Sequence, residues 1–184
     1  MCGIATIHSS TISLTNNLGD ITAMMNALKH RGPDGEGVHE VAGQILMGHR
    51  RLAIIDQTGG QQPMVSPDGR FSLVFNGEIY NYLELRQDLQ RRGIAFKTFS
   101  DSEVLLQMLI VKGAEGLAEL NGMYAFVFHD RQANSWIAAR DPLGIKPLYY
   151  FHSDDLLLFA SEIKGILAHP QVQRELNEQG LQDY

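Results

Sequence analysis

The sequence begins, after Met1, with Cys-Gly-Ile-Ala-Thr-Ile-His at residues 2–8, a short run rich in β-branched side chains. This composition predicts a β-strand at the amino terminus. The strand would start with Cys2, which is the single cysteine of the chain. One cysteine cannot form an internal disulfide bond and is typical of a reducing, cytoplasmic environment. A cysteine in this position is more often a small buried residue than a reactive one, so alone it indicates function only weakly.

The composition is that of a folded globular domain. Of 184 residues, 44% are hydrophobic and 20% are charged, which supports a sizeable core and argues against disorder. The 18 glycines and 6 prolines fall well short of a low-complexity chain. We therefore exclude a fibre, a disordered tail and a large multidomain assembly.

The charge balance excludes further classes of protein. Fifteen basic against 21 acidic residues give a net charge of −6, which disfavours a nucleic-acid partner. No apolar run reaches the roughly 18 residues that predict a membrane span. The first basic residue is Lys29, so the positive segment of a secretory signal is missing. We expect a cytoplasmic domain with no nucleic acid and no membrane partner.

The order of the predicted elements indicates the fold class. Strands follow one another in meander-like runs with helices grouped between them, which predicts an α+β fold of antiparallel sheets covered by helices. The polar stretch 174–184 looks like the start of another helix, and we expect the chain to be cut there from a longer one. The predicted strands are 2–8, 38–41, 45–54, 71–75, 123–128, 135–139, 148–151 and 156–160, and the predicted helices are near 18–28, 82–92, 102–112 and 162–167.

Common cofactor motifs are missing from the sequence. It contains no Cys-x-x-Cys or His-x-x-x-His pair and no glycine-rich phosphate loop. We therefore expect no metal site and no cofactor in this domain.

The pair Asn76-Gly77 allows two interpretations. Asn-Gly between apolar segments is a strong signal for a β-hairpin turn. Alternatively, the Asn76 side-chain amide and the Gly77 main-chain N–H could form an oxyanion hole, in which such donors stabilise a tetrahedral intermediate. Local sequence alone favours the hairpin.

Two charged segments also allow a functional interpretation. Residues 49–56 include Arg50 and Arg51, and an arginine at a strand end could bind a carboxylate through two guanidinium nitrogens. Residues 100–103 include Asp101 and Glu103, and a carboxylate there could bind an ammonium group. A surface ion pair and a helix cap are the simpler interpretations, and each is favoured when the segment is taken alone.

The segments considered together resemble a known family. Asn-Gly-Glu-Ile-Tyr-Asn at 76–81 and Arg-Asp-Pro-Leu-Gly-Ile-Lys-Pro-Leu-Tyr at 140–149 accompany shorter motifs at 2–4, 31–34, 48–56, 62–63 and 100–103. Over about residues 2–168, the chain resembles the glutaminase domain of glutamine-hydrolysing asparagine synthetases, which are class II glutamine amidotransferases. The two long motifs look less like those of the purine or glucosamine-phosphate amidotransferases.

The resemblance implies a fold and a reaction. The implied fold is that of the N-terminal-nucleophile hydrolases, a four-layer αββα sandwich of two antiparallel sheets between helices. Cys2 would attack the side-chain amide of L-glutamine, ammonia would leave, and water would hydrolyse the γ-glutamyl thioester to glutamate. Asn76 and Gly77 match the oxyanion-hole pair.

The resemblance also implies how glutamine is bound. Arg51 matches the residue that holds the α-carboxylate, whereas Glu78 and Asp101 match the acids that bind the α-ammonium. The pocket would be lined further by Leu52, Ala53, Ile54 and Ile55. No role is assigned to Arg50.

The same resemblance places this domain within a larger enzyme. Residues 1–170 would form the glutaminase domain, and residues 171–184 would lead into a C-terminal synthetase domain that uses ATP and Mg²⁺ to convert aspartate to asparagine. The sequence leaves open whether the enzyme forms a homodimer. It also leaves two alternative functions open: the acceptor could be a peptide, a sugar or a β-lactam precursor, or the domain could bind glutamine without catalysis.

Overall fold

The computed structural model describes residues 1–11, 13–14, 18–53, 60–176 and 178–183. In these ranges, strands and helices alternate in groups, as the sequence predicts. The strands are β1 (Gly3–Ser9), β2 (Gly35–Val41), β3 (Ile45–Arg51), β4 (Met64–Val65), β5 (Phe71–Ile79), β6 (Gly122–Asp130), β7 (Ser135–Arg140), β8 (Tyr149–His152) and β9 (Leu156–Ala160). The α-helices are α1 (Leu18–Ala27), α2 (Tyr82–Arg91), α3 (Asp101–Lys112), α4 (Ile163–Ile166) and α5 (Glu178–Gln182), and 3₁₀ helices span Lys29–Arg31 and Gly113–Glu119.

The strands form two antiparallel sheets. The first sheet has the order β2-β3-β1-β9-β8, so that the amino-terminal strand lies at its centre. The second sheet has the order β4-β5-β6-β7. In the first sheet Gly3 pairs with Arg50, and in the second Gly77 pairs with Tyr124. Residues near Cys2 and residues near Asn76 are therefore held in central strands of different sheets.

The two sheets stack between two helical layers. Alternate residues of β1 point to opposite faces: Ala5 and Ile7 pack with α1, whereas Ile4 packs against Val74 and Val127 of the second sheet. The other face of the second sheet is covered by α2 and α3. The predicted α+β fold and αββα layering are confirmed.

The Asn76-Gly77 pair is not a turn. Both residues lie inside β5, so the hairpin interpretation is wrong. A Cβ at Gly77 would collide with the main chain of Met123 and Tyr124, and Asn76 is buried at 1% exposure. Glycine is therefore used here for close strand approach, which overrides the local turn preference of Asn-Gly.

The strand predicted from Val38 starts earlier than expected. β2 begins at Gly35 because Gly35 and Gly37 pair with Arg51 and His49 of β3. Ile54, which was predicted to end β3, lies outside the described residues. Among those that are described, no helix combines the length and the apolar character that crossing a membrane requires.

Candidate active site

A cleft of about 600 Å³, including its open mouth, lies where β1 begins, β3 ends and the second half of β5 passes. Seven of the predicted site residues line it: Cys2, Arg51, Leu52, Asn76, Gly77, Glu78 and Asp101. Ala53 is outside the lining, and its main-chain N–H instead donates to the Asp34 carboxylate at 2.9 Å. Ile54 and Ile55 lie outside the described part of the chain.

The thiol of Cys2 is held by the main chain of Leu52. The Leu52 N–H donates to Cys2 Sγ at 3.4 Å, and the thiol lies 3.6 Å from the Leu52 carbonyl oxygen. The Cys2 carbonyl accepts a hydrogen bond of 2.9 Å from the Arg31 guanidinium, which also contacts Glu162 at 2.8 Å. Cys2 is thus fixed on both sides before any substrate binds.

The turn that contains Arg31 also supports the end of β3. A Cβ at Gly32 would collide with the main chain of Arg50 and Arg51, so glycine allows a close approach here. The Asp34 N–H donates to the Arg51 carbonyl at 2.9 Å. This turn therefore sets the path of the chain from Arg51 to the thiol-binding Leu52.

The opposite wall of the cleft is an open edge of β5. Tyr124, which is opposite Gly77, directs its N–H and C=O to Asp141 at 3.2 and 2.8 Å, away from β5. In an antiparallel pair this marks a non-hydrogen-bonded position, so the Gly77 main chain points away from β6 as well. The Gly77 N–H is therefore directed to the edge that borders the cleft.

Asn76 supplies a second donor to the same wall. Its side chain projects from the same face of β5 as Val74, toward the first sheet and the start of β1. Asn76 Nδ2 is buried, and it lacks a hydrogen-bond partner among the residues that the structure describes. Because a buried donor without an acceptor is costly, this amide is prepared for an acceptor on a ligand.

Two carboxylates, those of Glu78 and Asp101, also line the cleft. Asp101, at the start of α3, is 5% exposed and accepts a hydrogen bond of 3.1 Å from the Ile79 N–H. Burial, with a smaller contribution from the nearby Glu78 carboxylate, raises the pKa of Asp101. The Glu103 carboxylate is directed away, because it accepts hydrogen bonds from the main chain of Lys97 and Thr98. The acids at the cleft suit a ligand ammonium group.

Of the two adjacent arginines, only Arg51 lines the cleft. The Arg50 guanidinium is buried and donates to the Met25 carbonyl at 3.1 Å and to Asn26 at 2.7 Å, and it forms an ion pair with Glu36. This agrees with the choice of Arg51 as the carboxylate-binding candidate.

The cleft contains residues that the sequence did not assign to it. These are Met1, His49, Gly60, Gln62, Phe75, Ser102, Met123 and Lys146. Gln62 and Lys146 lie within the motifs at 62–63 and 140–149, which was the available signal, but the direction of a side chain depends on contacts that the motif itself does not reveal. Lys146, for example, enters the cleft because its N–H is bound by Asp141 and its carbonyl by Arg140.

His49 is buried at 1% exposure beside the cleft. Its Nε2 contacts the Phe75 carbonyl at 3.1 Å. Burial lowers the pKa of His49 to about 4, so the ring is neutral near pH 7. Nε2 therefore carries the proton that is donated to Phe75. Within the described ranges, no group of three or more His, Cys, Asp and Glu residues could hold a metal ion.

The chain matches a protein-family model along its whole length. Residues 1–184 match the model described as "Glutamine amidotransferase domain". Asparagine synthetase [glutamine-hydrolyzing] 3 of Bacillus subtilis is 39% identical over 100% of this chain and 30% of its own length. A probable asparagine synthetase of Dictyostelium discoideum is 41% identical over 90% of this chain and 30% of its own. The chain thus spans about 30% of the curated relatives that it matches.

Solved structures share the fold at lower sequence identity. Glutamine phosphoribosylpyrophosphate amidotransferase from Bacillus subtilis has a TM-score of 0.73 and 27% identity, covering 91% of this chain and 43% of its own. A structure described as the allosteric regulatory enzyme of purine biosynthesis has a TM-score of 0.74 and 26% identity, with the same coverage. Sequence identity is therefore higher to the asparagine synthetases, as the motifs indicated.

Proposed function

Because the chain belongs to the glutamine amidotransferase domain family, we propose that it hydrolyses L-glutamine to glutamate and ammonia through a thioester on Cys2. One observation carries this proposal: a thiol held at the start of β1 shares a cleft with two outward-directed donors of β5. A thiol and a pair of donors on opposite walls are what acyl transfer from an amide requires.

In the proposed reaction, removal of Met1 exposes the α-amine of Cys2. Met1 borders the cleft and is 52% exposed, so it is accessible to such processing. The free amine takes the thiol proton, as in other amino-terminal nucleophiles. Sulfur then attacks the γ-carbonyl carbon, and the carbonyl oxygen becomes an oxyanion that Asn76 Nδ2 and the Gly77 N–H stabilise.

The intermediate then breaks down in two steps. The amine returns its proton to the leaving nitrogen as the C–N bond breaks, so ammonia departs and a γ-glutamyl thioester remains on Cys2. Water next adds to the thioester carbonyl in the same oxyanion hole. The C–S bond breaks, glutamate leaves, and the thiol regains a proton.

Substrate recognition uses the charges at the ends of the cleft. Arg51 binds the α-carboxylate of glutamine, while Glu78 and Asp101 bind its α-ammonium. Leu52 lines the pocket between them, and Ala53, Ile54 and Ile55 remain proposed members of this segment. Because glutamine is a zwitterion, it needs opposite charges at a fixed separation, which these groups supply.

We further propose that the chain acts within a longer protein. Residues 1–170 form the glutaminase domain, and 171–184 lead to a C-terminal domain that uses ATP and Mg²⁺ to amidate aspartate with the released ammonia. The support is that the matched asparagine synthetases are about three times as long as the matched segment. A cytoplasmic location and a homodimer remain predictions.

A glutaminase assay on the protein with its amino terminus defined by mass spectrometry tests the function. We expect ammonia and glutamate in equal amounts from processed protein and little of either from protein that retains Met1. Glutamine binding without turnover in processed protein would instead show a non-catalytic binding domain.

A further inference from the structure

Among the residues that the structure describes, the strand that carries the oxyanion donors has no strand neighbour along the second half of one edge. β4 pairs with β5 only through Met64–Leu73 and Val65–Ser72. β5 continues to Ile79, so the edge groups of Phe75, Gly77 and Ile79 face no strand in the described part of the chain. An edge of this kind leaves main-chain N–H and C=O groups that need other hydrogen-bond partners.

Side chains complete the edge at Phe75. The Phe75 N–H donates to Gln62 Oε1 at 2.6 Å, and the Phe75 carbonyl accepts from His49 Nε2 at 3.1 Å. Phe75 directly precedes Asn76. The two hydrogen bonds that a neighbouring strand would supply are therefore supplied by one amide and one imidazole.

Gln62 is itself anchored at two further points. A Cβ at Gly37 would collide with the Gln62 carbonyl, so β2 lies directly against the main chain of Gln62. Its Nε2 donates to Ser102 Oγ at 3.4 Å, at the start of the helix that carries Asp101. Gln62 therefore links β5 and α3, which both line the cleft, with β2.

We propose that Gln62 is a positioning residue: its side chain replaces the missing strand beside Phe75 and thereby sets the direction of the Asn76 and Gly77 donors. This inference rests on the proposed glutaminase function. Gln62 acts through Phe75, with His49 on the other side, and touches no reacting atom. Since the donors act on the oxyanion, its removal lowers turnover rather than glutamine binding.

The test compares Gln62→Met with Gln61→Met. Methionine keeps the length of the side chain but neither hydrogen bond, and Gln61 is an adjacent, exposed glutamine outside the cleft lining. For Gln62→Met we expect a fall in kcat of about 10- to 100-fold, as for a displaced oxyanion donor, with KM for glutamine within about two-fold of wild type. Gln61→Met should match wild type in both constants.

Two further measurements separate positioning from general damage. The Cys2 thiol adds to the aldehyde group of glutamate γ-semialdehyde and forms a hemithioacetal. The new C–S bond places the hydroxyl group of this hemithioacetal in the oxyanion hole. Gln62→Met should weaken binding of this aldehyde by about the factor lost in kcat, whereas glutamate binding stays unchanged. Hydrogen exchange at the Phe75 amide should accelerate in Gln62→Met but not in Gln62→Glu, which keeps an acceptor oxygen.

The outcomes are distinct. Unchanged kcat in Gln62→Met, a KM effect alone, or equal losses of aldehyde and glutamate binding would overturn the positioning role. An unchanged rate of hydrogen exchange at the Phe75 amide in Gln62→Met would also overturn the positioning role, even if the substitution lowers the stability of the protein. If wild type releases no ammonia, the proposed function fails, while the exchange experiment still decides whether Gln62 holds Phe75.

Discussion

The two walls of the cleft are held by different interactions. The nucleophile wall, formed by Cys2, Arg31 and Leu52, depends on a buried guanidinium that joins the Cys2 carbonyl to the Glu162 carboxylate. The donor wall, formed by β5 from Phe75 to Ile79, depends on main-chain hydrogen bonds that side chains of other elements complete. A charged pair, Arg31 and Glu162, thus supports the first wall, whereas hydrogen bonds to the main chain of β5 support the second. Substitutions and changes of pH should therefore affect the two walls separately.

The largest expected effect is on the nucleophile wall. Cys2→Ala removes the attacking atom, so ammonia release from glutamine should fall to the background of the assay. Glutamine binding, measured by calorimetry, should persist because the donor wall and the charged groups are intact. Residual wild-type turnover in this variant would exclude Cys2 as the nucleophile.

Asn76→Ala tests the donor wall directly. Loss of one oxyanion donor should lower kcat by about 10²- to 10³-fold, and KM should change little because the donor acts mainly in the transition state. Steady-state kinetics on glutamine check both constants. A rise in KM with unchanged kcat would assign Asn76 to substrate binding instead.

Arg51→Lys should have a smaller effect, confined to binding. Lysine keeps the charge but loses the paired hydrogen bonds of guanidinium to carboxylate, so KM for glutamine should rise about ten-fold. Arg50→Lys is the matched control: Arg50 is directed to Met25 and Asn26, so its substitution should lower stability and leave KM unchanged. If only Arg50→Lys raised KM, the two roles would be reversed.

The walls should also differ in their dependence on pH. The His49 pKa is lowered to about 4, so below pH 6.5 the unfolded chain binds a proton that the folded protein does not. The contribution of the neutral ring to the free energy of unfolding is therefore fully present above pH 6.5. About 3 kcal/mol of this free energy is lost as the pH falls to 4. Urea unfolding at several pH values should show a shallower loss in His49→Gln than in wild type, and equal slopes would contradict this.

The ion pair of the nucleophile wall should persist to lower pH. Hydrogen bonds from Arg31, Lys164 and His30 outweigh the opposing effect of burial and lower the pKa of Glu162 to about 2. A depressed carboxyl pKa stabilises the fold above the ordinary value near 4.5, and this contribution is lost as pH falls toward 2. Glu162→Gln should therefore change the unfolding free energy much more at pH 6 than at pH 2, and an equal effect at both would contradict the assignment.

Much of the fold was predictable because strand composition and turn residues are local properties. The strand at residues 2–8 and the layered α+β architecture followed from them. Asn76-Gly77 was ambiguous because a turn and a close strand contact use the same two residues, and only pairing with β6 separates them. Gln62 and Lys146 could not be placed, since their directions depend on contacts with Phe75 and Asp141.

Mass spectrometry of the acid-quenched protein during glutamine turnover tests the central claim most directly. The account predicts an amino terminus at Cys2 and one γ-glutamyl group on the peptide that contains it, lost on standing in water and missing from Cys2→Ala. Glutamate production with an unmodified Cys2 peptide, or with the glutamyl group on another residue, would contradict the account.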